Sequence, residues 1–252
     1  MVRLNAGIYL SQTNSFIRHY KFIFGPLYMT LKNSGYLYVF CLALLALTSC
    51  KNNNDAPDIT HQSSLNVVNL VPDAGSINFY SNGTRQNSYK LGYTLASGYV
   101  TIPSQQTVAI KDTLYNVLYS APFTFKADTM YTLFVTGQAS KQTVTGIITI
   151  DTAKSVGTIA KARFIHASPN APALDVFFNT TAFSNRAYKS VSAFSKVDTG
   201  KVTLKVNLAG TGTTVTTTQL QLTAGGVYTI YVYGLSGASG TTAFSIGGII
   251  NH

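Results

Sequence analysis

The feature that most constrains the fold of this chain is an internal duplication. Setting Pro72 against Pro169, an offset of 97 residues, lays Leu70-Val71-Pro72-Asp73-Ala74 on Ala167-Ser168-Pro169-Asn170-Ala171 and Ile77-Asn78-Phe79-Tyr80 on Leu174-Asp175-Val176-Phe177. The same offset lays Tyr131-Thr132-Leu133-Phe134-Val135-Thr136-Gly137 on Tyr228-Thr229-Ile230-Tyr231-Val232-Tyr233-Gly234. Between these matches the register drifts by a residue or two, as loops of unequal length require. Two homologous units, 65–152 and 160–251, joined near Lys154 to Lys161, are the economical reading.

Each unit reads as strands and turns. Val227 to Tyr233 alternates, with Tyr228, Ile230 and Val232 on one side and Thr229, Tyr231 and Tyr233 on the other. Tyr131, Leu133 and Val135 form the matching core-facing set in the first unit. Further β runs occupy Leu65 to Val71, Ser76 to Tyr80, Thr107 to Ile110, Tyr115 to Phe125, Thr143 to Ile150, Val202 to Val206, Thr214 to Leu222 and Ala243 to Ile250, punctuated by Gly, Asn, Asp and Pro. A weak turn near Ala187 to Phe194 is the nearest approach to a helical period. The expectation is an all-β protein of two tandem antiparallel β-sandwiches. Phe125 to Tyr131 and Leu222 to Tyr228 each end a strand, turn, and open the next strand on a tyrosine. This resembles the tyrosine corner of immunoglobulin-like sandwiches; a plainly buried tyrosine is the alternative.

Ahead of the units the chain carries a different kind of signal. An apolar run from Leu37 to Leu47 follows Lys32 and ends in Thr48-Ser49-Cys50. Such a run falls well short of the roughly 20 residues that cross a bilayer, yet suits the apolar core of a secretory signal peptide. Leu47-Thr48-Ser49-Cys50 resembles the lipobox of bacterial lipoproteins, and that resemblance implies cleavage between Ser49 and Cys50 and a palmitate-type lipid on Cys50. Residues 1–49 are thus the signal region. Met29 to Cys50 already forms a complete signal, so Met1 to Tyr28 is either a long basic n-region or, the favoured reading, sequence upstream of a true start at Met29. Residues 50–64 read as a polar, flexible tether with almost nothing to bury. Lys51 matches the lysine that precedes acidic residues in surface-exported lipoproteins of the Bacteroidota, but Asn52, Asn53 and Asn54 stand before Asp55. An outer-membrane anchor is expected, facing either the periplasm or the cell surface.

Removing the signal changes the arithmetic of composition. Four of the 18 basic residues precede Cys50, leaving 14 against all eight acidic residues, a net charge of +6. The remaining lysines are scattered singly, as solvated or edge-strand residues are, and do not form the basic patch that nucleic acid requires. Cys41 leaves with the signal and Cys50 is lipidated, so neither a disulfide nor a thiolate metal site is available to the mature chain. His61 and His252 sit in the tether and at the C-terminus, which disfavours a histidine metal site too. No cofactor is expected.

Ala162 to Val176 contains His166-Ala167-Ser168-Pro169-Asn170-Ala171-Pro172 followed by Leu174-Asp175-Val176. It resembles the His-Ala-Ser-Pro-Asp-Ala-Pro and Val-Asp-Val signature of the domain of unknown function 4397, as does the turn from Leu222 to Thr229. The match is fainter in the first unit, where Asn69, Val71 and Asn78 replace His166, Ser168 and Asp175. The resemblance implies an extracytoplasmic β-sandwich module, often in tandem behind a lipoprotein signal, and implies no activity.

His166, Ser168 and Asp175 invite a hydrolase reading. Against it stand the absence of a Gly-x-Ser-x-Gly elbow and the turn-like setting of Ser168 before Pro169. The structural alternative is that Ser168 and Asp175 hold the Pro169 to Pro172 loop through side-chain to backbone bonds, with His166 packed beside them. Tyr231 and Tyr233, with Phe134 in the first unit, form either an aromatic binding platform or the contact between the units. The function expected is that of a non-catalytic surface module binding glycan or an envelope protein; the alternative is a structural lipoprotein assembling with protein partners.

Overall fold

A computed structural model describes residues 62–151, 153–154 and 157–251. The signal region, Met29, the Ser49 and Cys50 cleavage and lipidation point, His61, His252 and most of the tether lie outside the described residues.

Alternating apolar residues set the strands, and glycine, asparagine and proline break them. In the first unit these are β1 (Gln62–Asn69), β2 (Asn78–Ser81), β3 (Thr84–Arg85), β4 (Val100–Pro103), β5 (Gln105–Lys111), β6 (Val117–Thr124), β7 (Met130–Thr136) and β8 (Thr145–Ile150). In the second they are β9 (Ala160–His166), β10 (Leu174–Phe178), β11 (Thr181–Arg186), β12 (Ser195–Val197), β13 (Gly200–Leu208), β14 (Thr214–Leu222), β15 (Val227–Tyr233) and β16 (Ser245–Asn251). Among the described residues no α-helix occurs, and the expected weak turn is a tight turn at Tyr188 and Lys189, with Lys189 at φ +69°.

Each unit is a sandwich of two four-stranded sheets. The first builds an inner sheet in the order β4-β1-β7-β8 and an outer sheet β3-β2-β5-β6; the second repeats this as β12-β9-β15-β16 and β11-β10-β13-β14. Among the described residues no sheet mixes strands of the two units. Leu65, Val67, Phe79, Val108, Ile110 and Leu133 fill the first sandwich, and Phe164, Val176, Phe178, Leu204, Val206 and Ile230 fill the second. Each such side chain contributes about 1.5–3 kcal/mol when fully buried.

One feature departs from a purely antiparallel reading. β1 lies parallel to β7, with Leu65 opposite Tyr131, and β9 lies parallel to β15, with Ala162 opposite Tyr228. The chain leaves the inner sheet for the outer β5–β6 hairpin and re-enters at the end where β1 began, so the returning strand runs the same way as β1.

The central strands of the inner sheets, β1 and β7 in the first unit and β9 and β15 in the second, are buried on both faces. A third apolar cluster joins Val68, Leu70, Phe134 and Ile147 of the first unit to Ile165, Ala167 and Tyr231 of the second. Val68 and Ile165, Leu70 and Ala167, and Phe134 and Tyr231 are pairs at the repeat offset, so equivalent residues meet across the contact, as they do at a two-fold interface.

Candidate functional site

The tyrosine corners are present in both units. The Lys126 backbone N–H donates to the Tyr131 hydroxyl at 3.0 Å, and the Thr223 backbone N–H donates to the Tyr228 hydroxyl at 2.8 Å. In the second unit the Thr223 hydroxyl also meets the Tyr228 hydroxyl at 2.7 Å. The Tyr228 ring lies so close over Gly226 that a Cβ there would come within 2.5 Å of it. These bonds fix how the chain turns from the outer sheet into β7 and β15.

His166 ends β9 and Asp175 lies in β10, with the Ser168 to Pro172 loop between. His166 is fully buried, and its Nε2 lies 3.0 Å from the Pro172 carbonyl. A carbonyl only accepts, so Nε2 carries the proton and Nδ1 does not; Nδ1 has no hydrogen-bond partner among the described residues. Burial draws the imidazole below its ordinary value, opposed by the bond to Pro172. Ser168, also fully buried, donates its hydroxyl to the Gly234 carbonyl at 2.7 Å, tying the loop to the turn after β15. Asp175 faces outward and accepts the backbone N–H groups of Asn185 at 2.7 Å and Gly210 at 2.9 Å. Those two bonds hold its carboxyl below the ordinary range.

The expected division of labour is therefore corrected. His166, rather than Asp175, secures the Pro169 to Pro172 loop, because alternation along β10 points Asp175 to the outer face, toward the bulge of β11 at Asn185 and the hairpin turn at Gly210. Among the described residues no hydrogen bond joins any two of His166, Ser168 and Asp175. The first unit performs the same task with different chemistry. Asn69, at the position of His166, donates to the Gly75 carbonyl at 3.0 Å, and Gly75 stands where Pro172 stands at the repeat offset. One residue pair keeps its chemistry across the copies. Asp73 accepts from the Ala139 and Ser140 N–H groups at 2.7 and 2.9 Å, and Asn170 clasps Ser236 through both its N–H and its carbonyl at 2.8 and 3.0 Å.

Phe134, Tyr231 and Tyr233 meet between the units. Phe134 is fully buried and Tyr231 is 5% exposed; their ring centroids are 5.2 Å apart, and Tyr233, half-buried, lies 5.9 Å from Tyr231 and 5.8 Å from Tyr93. Burial pushes the Tyr231 hydroxyl up to about 12, with Tyr233 adding to it. The platform reading is thereby corrected: stacking the two inner sheets covers Phe134 and Tyr231, which form the contact between the repeats with the half-buried Tyr233 packed at its side.

Sequence reasoning missed a buried polar network beside that contact. Arg163 of β9 makes an ion pair with Asp151, which follows β8, and both side chains are almost wholly buried at 5% and 0% exposure. Arg163 also donates to the Thr229 hydroxyl at 2.8 Å, the Thr149 hydroxyl at 2.9 Å and the Ile150 carbonyl at 2.7 Å. Asp151 accepts from Tyr99 at 2.8 Å and Thr132 at 2.5 Å. At the repeat offset Arg163 corresponds to Asn66 and Thr229 to Thr132, so a polar row has become a charged tie between the units. The one legible trace was an arginine on a face whose neighbours are apolar, but its partner depends on how the sandwiches dock.

Among the described residues no three His, Cys, Asp or Glu side chains gather as a metal site. The model of the family described as Domain of unknown function (DUF4397) matches residues 63–177 and 160–246. The chain belongs to that family. The two matches fall as tandem copies on the two sandwiches, the first running on into β9 and β10 of the second. No curated protein matches the chain.

Proposed function

We propose that the mature chain is a lipoprotein anchored in the outer membrane through Cys50, whose DUF4397 body is a non-catalytic binding or adhesion module for glycan or an envelope protein. The Leu47-Thr48-Ser49-Cys50 lipobox and the polar stretch after it support the anchor. The observation that carries the non-catalytic half is the employment of His166, Ser168 and Asp175. Each is committed to backbone groups of its own, and the first unit does the work of His166 with Asn69. A serine nucleophile needs its base within hydrogen-bond reach and a third group orienting that base. Here the serine proton is given to a carbonyl, and the imidazole proton to another.

The test is a screen of the whole chain in detergent against ester, peptide and glycoside substrates, with melting curves alongside. Ser168→Ala lowers the melting temperature, since it strands the buried Gly234 carbonyl, and changes no turnover. Reproducible turnover that disappears in Ser168→Ala at an unchanged melting temperature makes the protein a hydrolase instead.

A further inference from the structure

The two units differ along one lateral side of the sandwich. That side is bounded by the last strands of the outer and inner sheets, β6 and β8 in the first unit, β14 and β16 in the second. The pairing registers make Tyr119 equivalent to Thr216, Pro122 to Gln219, Phe123 to Leu220, and Gly146 to Ile246.

In the first unit this side is closed. The Tyr119 ring lies against Gly146, where an added Cβ would stand 3.0 Å from it, and Phe123 stacks on Phe125 at 5.3 Å. Pro122 sits within β6, opposite Thr107. A proline has no N–H for the ladder, so its nitrogen faces away from β5 toward solvent, where it blocks a further strand. The second unit lacks each of these devices. Thr216 and Leu220 replace the two rings, and Gln219 restores the outward N–H. What remains is an open groove of about 470 Å³ bordered by Thr216, Thr218, Leu220, Phe244, Ile246 and Gly248. β14 runs for nine residues with neither charge nor proline, and by the register of Pro122 its Thr217, Gln219 and Gln221 turn their N–H and C=O groups outward.

The geometry points to β14 as a receptor strand: an extended segment of a partner protein pairs with its free edge as an added strand of the outer sheet and sets a large apolar side chain into the groove. The first unit supplies the chemistry of the occupant, because the same gap is filled there by a strand-borne tyrosine and phenylalanine. β14 of a second copy does not fit this description, since it would bring Thr216 and Thr218 to a space that takes a ring. This inference deepens the binding-module reading by naming the class of partner, an uncharged extended polypeptide with a large apolar residue at alternate positions.

The probe is a pool of fluorescent peptides of about ten residues, threonine alternating with valine, isoleucine, phenylalanine or tyrosine, titrated by anisotropy onto the whole chain in detergent. Saturable binding is expected, weakened at least about tenfold in two variants. One is Gln219→Pro, copying Pro122; the other is Thr216→Tyr combined with Ile246→Gly, copying Tyr119 and Gly146. Both borrow residues with which the first unit already folds, and if melting curves show one variant unfolded, the other decides. No saturable binding, or equal binding to the variants and the wild type, overturns the receptor strand. So does self-association of the wild-type chain that Gln219→Pro abolishes, which would make a second copy the occupant. A glycan or peptide from an array that binds both variants unchanged removes the receptor strand and leaves the wider binding-module reading in place.

Discussion

Replacing Asp151 with asparagine leaves the Arg163 guanidinium charged, buried and without its counter-ion. Both side chains are at most 5% exposed, so water cannot take the place of the carboxylate. Removing one partner of a buried pair costs about 3–5 kcal/mol. The amide oxygen of Asp151→Asn can still accept from Tyr99 and Thr132, which places this variant near the lower end, about 3–4 kcal/mol. Arg163→Met strands the carboxylate instead, but Tyr99, Thr132 and Thr149 hydroxyls remain to solvate it, and a loss of about 2–3 kcal/mol follows. The double variant removes both charges and should lose no more than about 1–2 kcal/mol, because a buried pair exchanged for neutral groups is close to neutral. Urea unfolding of the four proteins at pH 7, followed by circular dichroism, gives the cycle. A coupling energy of at least about 3 kcal/mol is expected. A single-variant loss below about 1 kcal/mol, or a double variant equal to the sum of the singles, would refute the reasoning that the pair ties the repeats together.

Tyr131→Phe and Tyr228→Phe each lower stability by about 1 kcal/mol in the same assay, Tyr228→Phe by more because its hydroxyl meets both the N–H and the side chain of Thr223. His166 gives a pH signature. Burial holds its imidazole below the ordinary value of 6.5, so as pH falls through that value the unfolded chain takes up a proton that the folded chain refuses. The melting temperature should therefore decline from pH 7 to pH 5, and His166→Asn, which copies Asn69, should flatten that decline; an unchanged slope in the variant would show that His166 is not its source.

Much of this fold was legible because it rests on local periodicity. Tyr228, Ile230 and Val232 face the core of the second sandwich and Tyr131, Leu133 and Val135 that of the first, as alternation alone demands. The repeat offset marks both strand-opening tyrosines, and the bonds to Lys126 and Thr223 make them tyrosine corners rather than plainly buried rings. The short strands β3, β11 and β12 escaped, since two to six residues with mixed polarity carry too little pattern to stand out. The parallel pairing of β1 with β7 escaped as well, because strand direction depends on which sheet the chain visits in between. The same limit applies to the site. That Ser168 belongs to a loop beside His166 was readable from Pro169 and Pro172, whereas the carbonyls these two side chains hold, and the union of Arg163 with Asp151 across the repeats, are products of docking. Phe134 and Tyr231 illustrate it best: as sequence they suit a binding face and a core face equally, and stacking of the inner sheets decides between them.

The central claim is that this DUF4397 protein works as a lipid-anchored module, and metabolic labelling with a fatty-acid analogue tests it most directly. In cells expressing the wild type, the label should appear on a protein shortened to begin at Cys50; Cys50→Ser should yield an unlabelled precursor of full length. Equal labelling of the two, or a wild-type N-terminus elsewhere than Cys50, would contradict the account.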